Sequence, residues 1–476
     1  MPGVKAGENR RARSLPDTPP RSILRSSRRI IVTRSFRDYP LVPYNAFYAV
    51  RHCGGQMNQG SVQRKSGFSF IIRAFKYRNY VLFFSGQGIS IIGTWMQQIA
   101  MTWLVYRMTN STLLLGVISF TGMIPIFFLS SFAGVSADRR NRYRIVVTTQ
   151  FLAMGQAFIA AFLTLTGIIT VWQIIALSSF LGMVNAFEMP ARQSLVIEIV
   201  ENKEDLGNAI ALNSFMFNGG RLIGPSIAGV LISLFGEGTC FLINGFSFLA
   251  IILALLAMNI PARKRAAAGI RILKGLVEGY GYAFRTAPIR AILIHLGIIS
   301  FLSMPYTVLM PYFARDYLHG GPDTLGLLMA SSGCGALLGT LFLASRSTIQ
   351  GLGRVIVVTS LIFGAGIIAF AFSRIITVSM ALLFFTGFGL IVQWASSNTI
   401  LQMIVKEDMR GRVMSLFAMA FAGMAPFGSL LGGALSSRIG PQATLAVCGI
   451  ACIIEALAFI PRTSILEEAL GGLKRK

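Results

Sequence analysis

The feature that most constrains this chain is a series of about twelve apolar runs, each long enough to cross a lipid bilayer as a helix. Hydrophobic residues make up 54% of the 476 residues and charged residues only 13%, whereas a soluble domain carries roughly 25% charged residues. The sequence therefore predicts an all-α integral membrane protein. The predicted spans are 80–105, 112–135, 145–166, 171–187, 209–235, 239–260, 289–313, 323–345, 354–373, 376–397, 411–436 and 442–461.

These runs form two sets of six, separated by one long polar connector. Short sequences recur between the sets: Lys203-Glu204-Asp205 resembles Lys406-Glu407-Asp408, and a glycine-rich run follows each of them. Such internal repeats are typical of secondary transporters, in which the substrate route lies between the repeats. The predicted parts are a basic segment at 1–79, a six-helix bundle at 80–260, an amphipathic cytoplasmic linker at 261–288, a second six-helix bundle at 289–461 and a cytoplasmic tail at 462–476.

Positive charge is concentrated in alternate connectors. The chain has 43 Lys and Arg against 18 Asp and Glu, a net charge of +25. On a soluble protein this excess would indicate nucleic-acid binding. Basic residues that flank apolar runs indicate membrane topology and anionic lipid headgroups instead, so no nucleic-acid partner is predicted. The positive-inside rule then predicts an inner (plasma) membrane protein with both termini in the cytoplasm.

The basic segment at 1–79 differs from the rest of the chain. It is rich in Arg, Ser and Pro and too poor in apolar residues to fold alone. It lacks the apolar core of a secretory signal, although its composition is also typical of an organelle transit peptide. We hypothesise that translation starts at Met57, because Gly54-Gly55 can be encoded by a sequence that resembles a bacterial ribosome-binding site.

The run 209–235 carries a stripe of small residues. Gly220, Gly224 and Ala228 recur every four residues and would let a second helix approach closely. Pro225 lacks the N–H that would bond the carbonyl of Arg221. A second face of the same helix carries the polar residues Ser214, Asn218 and Arg221 together with Pro225.

Two motifs resemble the major facilitator superfamily. The connector after the second run resembles the superfamily's Gly-x-x-x-Asp-Arg-x-Gly-Arg-Lys/Arg pattern, with Asn141 in place of the second Gly and Tyr143 in place of Lys/Arg. It reads Gly134-Val-Ser-Ala-Asp138-Arg139-Arg140-Asn141-Arg142-Tyr143-Arg144. The stretch Gly220–Gly229 resembles the Gly-x-x-x-Gly-Pro-x-x-Gly-Gly element of proton-driven exporters, with Ala228 in place of one Gly. The resemblance covers about residues 75–461 and implies the major facilitator fold of twelve transmembrane helices in two repeats.

A narrower resemblance is to the siderophore-exporter branch, which includes enterobactin-exporter-like proteins. Glu188–Gln193 and Asn208–Asn213 carry this likeness. It implies a proton-coupled exporter of a small amphipathic molecule, either a siderophore-like metabolite or a drug, that works by alternating access. An importer or a transport-dead receptor on the same fold is the alternative.

The resemblance also implies a cytoplasmic gating motif. In the superfamily the Asp of this motif forms a charge cluster that stabilises the outward-facing state. Asp138 takes that role here, with Arg142 and Glu188 as partners, and a simple topology or capping role is the alternative. The predicted gating residues are Gly134, Asp138, Arg139, Arg142 and Glu188, and the predicted packing and hinge residues of the fifth span are Gly220, Gly224, Pro225, Ala228 and Gly229.

Polar side chains inside the spans are the candidates for a cavity or for coupling. An arginine at mid-membrane is costly, so Arg221 is expected to face a cavity or an anionic partner. Substrate or proton coupling and a structural salt bridge both remain open for it. Glu455 either titrates during transport or snorkels to the headgroups, and His295 is expected to be a packing histidine rather than a proton relay. The other candidates are Asn218, Gln97, Gln98, Gln393, Trp394 and Asn398.

An enzyme is not predicted. The three histidines are scattered along the chain and the five cysteines form no CxxC pair, so neither a metal site nor a nucleophile–base pair is expected. No Gly-x-x-x-x-Gly-Lys-Ser/Thr loop is present, which argues against ATP hydrolysis by this chain. No cofactor is predicted. The expected partners are a small-molecule substrate, protons and anionic lipids, and the sequence indicates no oligomeric state.

Overall fold

The computed structural model describes residues 73–259, 272–346 and 348–472, with the backbone alone at 131, 135, 137–139, 203, 272–277, 471 and 472. Most of the predicted basic segment and the hypothesised start at Met57 lie outside these residues. In the described part of the chain, regular structure is entirely helical. Eleven helices there have the length and apolar composition to cross a membrane. A further helix, Arg78–Thr109, has the length but carries three glutamines. The predicted all-α membrane fold is confirmed.

We number the twelve long helices in chain order and name the amphipathic helix Ile272–Arg285 the linker helix. Helix α7 continues beyond Val308 through a short segment, Met310–Tyr312, and a π-helical turn, Phe313–Tyr317. The helices are α1 Arg78–Thr109, α2 Thr112–Arg139, α3 Arg142–Leu165, α4 Val171–Ile199, α5 Lys203–Phe235, α6 Glu237–Leu256, α7 Ala287–Val308, α8 Pro322–Ser345, α9 Leu352–Phe372, α10 Ile376–Ile404, α11a Arg410–Ala422 with α11b Ala425–Ile439, and α12 Pro441–Gly472.

Two helices extend beyond their predicted ends. The sequence predicts that the fourth span ends before Glu188, but α4 continues through Pro190 to Ile199. The last span is predicted to end at 461, and α12 continues through Pro461 to Gly472. A proline inside a helix removes one hydrogen bond and crowds the preceding turn, which can bend the helix without ending it. In α4, an ion pair one turn apart spans the proline, because Arg192 Nε lies 2.7 Å from Glu188 Oε1.

Helix ends follow local capping chemistry. The hydroxyl of Ser111 accepts a bond from the N–H of Leu114 at the start of α2, and Thr170 forms a capping box at the start of α4. Single glycines separate α5 from α6 and α11b from α12. Gly236 has a φ of 79° and Gly440 a φ of 87°, a left-handed backbone that favours glycine.

Helix packing repeats between the two halves of the described chain. In the N-terminal bundle, α1 packs on α5 and α6, α3 packs on α4 and α6, and α2 packs on α4. In the C-terminal bundle, each pair recurs six helices later, as α7 on α11 and α12, α9 on α10 and α12, and α8 on α10. The bundles meet through α5 with α8 and through α2 with α11b, which are also equivalent pairs. The chain is therefore two six-helix repeats related by pseudo-symmetry.

Candidate functional site

The junction between the two bundles is the candidate site. We call the end of the bundles with the connectors at 110–111, 318–321 and 440 the distal end. The other end, with the linker helix and the Arg-rich connectors, is the basic end. A transporter of this architecture holds its substrate between the bundles and opens one end at a time. The contacts at each end therefore define the state.

Two pairs of glycines close the distal end. A Cβ added to Gly229 of α5 would lie 2.8 Å from the Pro322 carbonyl oxygen of α8, and one added to Gly326 would lie 2.7 Å from the Pro225 carbonyl oxygen of α5. The equivalent pair is Gly116 of α2 and Gly433 of α11b. These backbones touch, and neither helix pair has room for a methyl group.

Polar contacts cross the junction beside these glycines. The Tyr106 hydroxyl of α1 donates to the Asp316 carboxylate in the π-helical turn after α7. Arg315 Nη1 donates to Asn110 Oδ1 at 2.8 Å. The rings of Tyr106 and Tyr312 meet edge to face at 6.3 Å. The N-terminal and C-terminal bundles are therefore bonded at the distal end by side chains as well as by backbone contact.

At the basic end, the ion pairs between two described side chains join residues of one bundle or of a bundle and its linker. Arg142 Nη1 lies 2.7 Å from Glu198 Oε1 of α4. Arg412 Nη1 of α11a lies 2.7 Å from Glu278 Oε2 of the linker helix. A Cβ added to Gly134 would meet no atom of the described residues within 4 Å.

The predicted gating cluster is only partly visible. The Asp138 and Arg139 side chains lie outside the described residues, and Glu188 pairs with Arg192 of its own helix. The cluster of Asp138 with Arg142 and Glu188 stays a prediction.

The small-residue stripe of α5 packs inside its own bundle. A Cβ added to Gly220 would lie 2.4 Å from Ile91 Cγ2, and one added to Gly224 would lie 2.5 Å from Trp95 Cβ, so this stripe faces α1. Ala228 is fully buried. Gly229 and the Pro225 carbonyl face α8 in the other bundle. The motif thus joins α5 to both neighbours, on two faces.

Arg221 lies where four helices of the two bundles meet. Its Nη2 donates to the Tyr306 hydroxyl of α7 at 3.4 Å, and its guanidinium carbon lies 6.0 Å from the centre of the Trp95 ring of α1. A Cβ added to Gly333 of α8 would lie 3.3 Å from the Arg221 carbonyl oxygen. None of the described carboxylates forms an ion pair with Arg221. The side chain is half-buried, so a mid-span positive charge is available at the junction.

Several predicted cavity residues lie inside a bundle instead. Gln97 is 2% exposed, donates to Gln156 Oε1 at 2.9 Å and accepts from Asn244 Nδ2 at 2.7 Å. These bonds hold the Gln97 amide between α1, α3 and α6 of the N-terminal bundle. Asn218 is also buried, and it donates to the Ser214 carbonyl of its own helix. Gln98 is exposed.

The three candidates on α10 lie in the C-terminal bundle. Gln393 is fully buried, and neither end of its amide has a hydrogen-bond partner among the described residues. The Trp394 ring meets Phe421 of α11a edge to face at 4.2 Å. Asn398 accepts a bond from Gln402 one turn later.

Glu455 does not snorkel to the headgroups as the sequence analysis allowed. Its side chain is 8% exposed, and Oε2 is in close contact with Nδ1 of the fully buried His295. A buried partner across the helix interface holds the carboxylate inside the bundle. The sequence analysis identified both residues but did not pair them, since they lie on α7 and α12, far apart in the chain.

Comparison with known proteins gives consistent results. A profile of the transmembrane secretion effector family matches residues 74–468. The chain is 28% identical over 402 residues to the staphyloferrin A transporter of Staphylococcus aureus (strain NCTC 8325 / PS 47), covering 82% of this chain and 99% of the relative. It is 24% identical over 396 residues to the multidrug efflux pump Tap of Mycolicibacterium fortuitum, covering 81% and 94%. The crystal structure of a POT family transporter in complex with a thioalcohol-conjugated peptide matches with a TM-score of 0.65 at 11% identity, covering 82% of this chain and 96% of that one. This last likeness shows a shared fold.

Proposed function

Since the chain belongs to the transmembrane secretion effector family of the major facilitator superfamily, and is a multi-pass membrane transporter of small molecules, we propose that it exports a small amphipathic molecule in exchange for protons. The proposed substrate is a siderophore-like metabolite or a drug. The proposed location is the bacterial inner membrane, with both termini and the basic end in the cytoplasm. The linker helix then lies against the anionic lipids of the cytoplasmic leaflet.

The observation that carries this proposal is the paired closure of the distal end. Gly229 with Gly326 and Gly116 with Gly433 are equivalent in the two repeats, and each pair brings helices of opposite bundles into backbone contact. A contact made by both repeats at one end is expected of bundles that rock about a central site. With the basic end in the cytoplasm, this is the inward-facing state, which accepts substrate from inside the cell.

Arg221 supports a polar or anionic group on the substrate. Its charge is not neutralised by a described carboxylate, and its neighbours Trp95 and Tyr306 offer aromatic faces. A guanidinium beside aromatic rings binds an anionic group and an apolar body together. The export direction is supported by the relative named as an efflux pump.

The test is transport into everted inner-membrane vesicles, with the full chain expressed and the membrane energised by lactate oxidation without added ATP. The two probes are ethidium and staphyloferrin A, the latter named by a relative. We expect uptake of at least one probe that collapses when nigericin removes the pH gradient. Vesicles without the protein are the control.

The alternatives give different results in the same system. ATP-dependent uptake would contradict a secondary transporter. Accumulation only in right-side-out vesicles would indicate an importer. A probe that binds the purified protein but moves in neither orientation would indicate a transport-dead receptor.

A further inference from the structure

The C-terminal bundle contains a buried ionisable cluster away from the junction. His295 of α7 is fully buried, with Nδ1 against the Glu455 carboxylate of α12 and Nε2 3.4 Å from Ser360 Oγ of α9. The His295 ring lies against Phe459, with ring centroids 4.4 Å apart. Two groups that exchange protons in water are thus placed in contact inside a membrane-spanning bundle, where ionisable side chains are costly.

The N-terminal repeat shows what these helices need for packing alone. Helices α1, α3 and α6 are the equivalents of α7, α9 and α12, and they are bridged by the neutral side chains Gln97, Gln156 and Asn244 at 2.7–2.9 Å. Neutral amide side chains are therefore sufficient to hold three such helices together. The C-terminal trio carries an imidazole and a carboxylate in this role. Burying these groups costs more free energy than burying neutral amides, but they can bind and release a proton.

We propose that His295 and Glu455, positioned by Ser360, form the proton-binding site that couples this transporter to the proton gradient. The inference rests on the proposed proton-coupled export. In one state the pair is an imidazolium against a carboxylate, or its neutral equivalent. A hydronium ion gives one proton to the pair and is left as water: an O–H bond of the hydronium breaks, and an O–H bond forms on the carboxylate of the ion pair or an N–H bond on the imidazole of the neutral pair. The pair then has a net positive charge, and return of the proton to water restores it.

Most charged groups on the helices around the cluster are paired with each other or lie at helix ends. The Cys452 thiol lies one turn before Glu455 on α12, and α10 and the span of α2 before Asp138 contain no ionisable side chain. Arg290, nearer the start of α7, donates to the Phe284 carbonyl of the linker helix at 3.1 Å. On the neighbouring helices, Arg354 pairs with Glu467 and Arg412 pairs with Glu278. The other charged residues there are Arg410 and Arg438 at the ends of α11, Lys274 and Arg285 near the ends of the linker helix, and Arg462 and Glu468, which follow Glu455 on α12 by about two turns or more.

Helix α7 links this cluster to the junction. Tyr306, which accepts from Arg221, lies about three turns along α7 from His295. Beyond it, Asp316 and Arg315 bond to α1 at the distal end. A change in the charge of the His295–Glu455 pair alters the packing of α7 on α12, and the same helix bears the contacts that close the distal end.

Histidine NMR tests proton binding without any substrate. The chain has only three histidines, His52, His295 and His319, so histidine labelled with ¹³C and ¹⁵N in the full chain in lipid nanodiscs gives few ring signals. We expect the signal that is missing in His295→Gln to change when the pH is varied and to shift in Glu455→Gln. The exposed His319 serves as the internal reference. A His295 signal that does not change with pH would refute the site, whatever the transport assay shows.

Transport tests the coupling. For one-for-one exchange, a gradient of one pH unit supports about tenfold accumulation at equilibrium. We expect Glu455→Gln to lose the gradient-driven accumulation of the probe that the unmodified protein transports. The variant should still exchange that probe across the vesicle membrane when no gradient is present. Gln156→Met, which breaks the equivalent buried bridge of the N-terminal bundle, is the matched control and should keep gradient-driven accumulation. Gradient-driven accumulation by Glu455→Gln would overturn the proposal, whereas its absence in the unmodified protein would overturn the proposed function instead.

Discussion

At the scale of single residues, the polar side chains of the spans separate into three environments. Gln97 is hydrogen-bonded inside one bundle, and His295 and Glu455 are in contact inside the other. Arg221 faces the junction and forms no ion pair with a described carboxylate. The sequence analysis left two roles open for Arg221, coupling or a structural salt bridge. No carboxylate among the described residues forms the ion pair that a structural salt bridge requires.

Arg221→Gln distinguishes these roles. Because a hydrogen bond to a charged group contributes about 1.5–3 kcal/mol, loss of the guanidinium should raise the KM for an anionic substrate by roughly 10- to 150-fold. Arg221→Lys should restore part of the affinity, since it keeps the charge but not the planar fork. Thermal unfolding of both variants in detergent should stay near that of the unmodified protein. A large loss of thermal stability with unchanged KM would indicate a structural role.

The sequence identified several contact residues but not the residues or helices that they contact. The small stripe of Gly220 and Gly224 was recognised, because a period of four residues places side chains on one helix face. The helix that packs on this stripe was not recognised, because any neighbouring helix can pack on a surface of small residues. In the structure that helix is α1. The contact between His295 and Glu455 depends on how α7 and α12 are packed, which hydrophobic periodicity does not encode.

At the scale of elements, the twelve helices followed from hydropathy, whereas their ends did not. The fourth and last spans were predicted to end at 187 and 461, yet α4 continues past Pro190 and α12 continues past Pro461. Composition also could not reveal which end of the two bundles is closed. The distal contacts are made by glycines from opposite repeats, and their spacing in sequence says nothing about which bundles touch.

The contact between α5 and α8 predicts a specific steric effect. In Gly229→Ala the new Cβ would lie 2.8 Å from a carbonyl oxygen and 3.0 Å from Asp323 Cα, both backbone atoms that cannot rotate away. We expect the distal end to open, which a longer distance between spin labels at the exposed Leu234 of α5 and Leu327 of α8 would report. The labels require a background without the native cysteines. Gly219→Ala is the matched control on the same helix, because its Cβ would meet no described atom within 4 Å. Equal distances in both variants would contradict the steric closure.

The hydrogen bond between α1 and the end of α7 predicts a shift in the population with a closed distal end. Tyr106→Phe removes the hydroxyl that donates to Asp316 but keeps the ring beside Tyr312. A hydrogen bond to a charged group contributes about 1.5–3 kcal/mol, so the ratio of the closed to the open population should fall by a factor of roughly 10 to 150. The same pair of spin labels measures the two populations. An unchanged distribution would show that the glycine contacts alone hold the distal end closed.

At the scale of the whole molecule, the two repeats make equivalent contacts, and this predicts that the contacts open together. Gly116 and Gly326 are each the fifth residue of their helices, α2 and α8, and each meets a glycine near the distal end of a helix in the other bundle. If the bundles move as rigid bodies, a methyl group at one contact shifts the population of a single open state. Gly229→Ala should then lengthen the distance between labels at Leu113 of α2 and Ser437 of α11b as well, although the substitution touches neither helix. Gly116→Ala should lengthen the distance between Leu234 and Leu327 in the same way. If each variant lengthens only the distance at its own contact, the two helix pairs open independently and the molecule does not rock as two bundles.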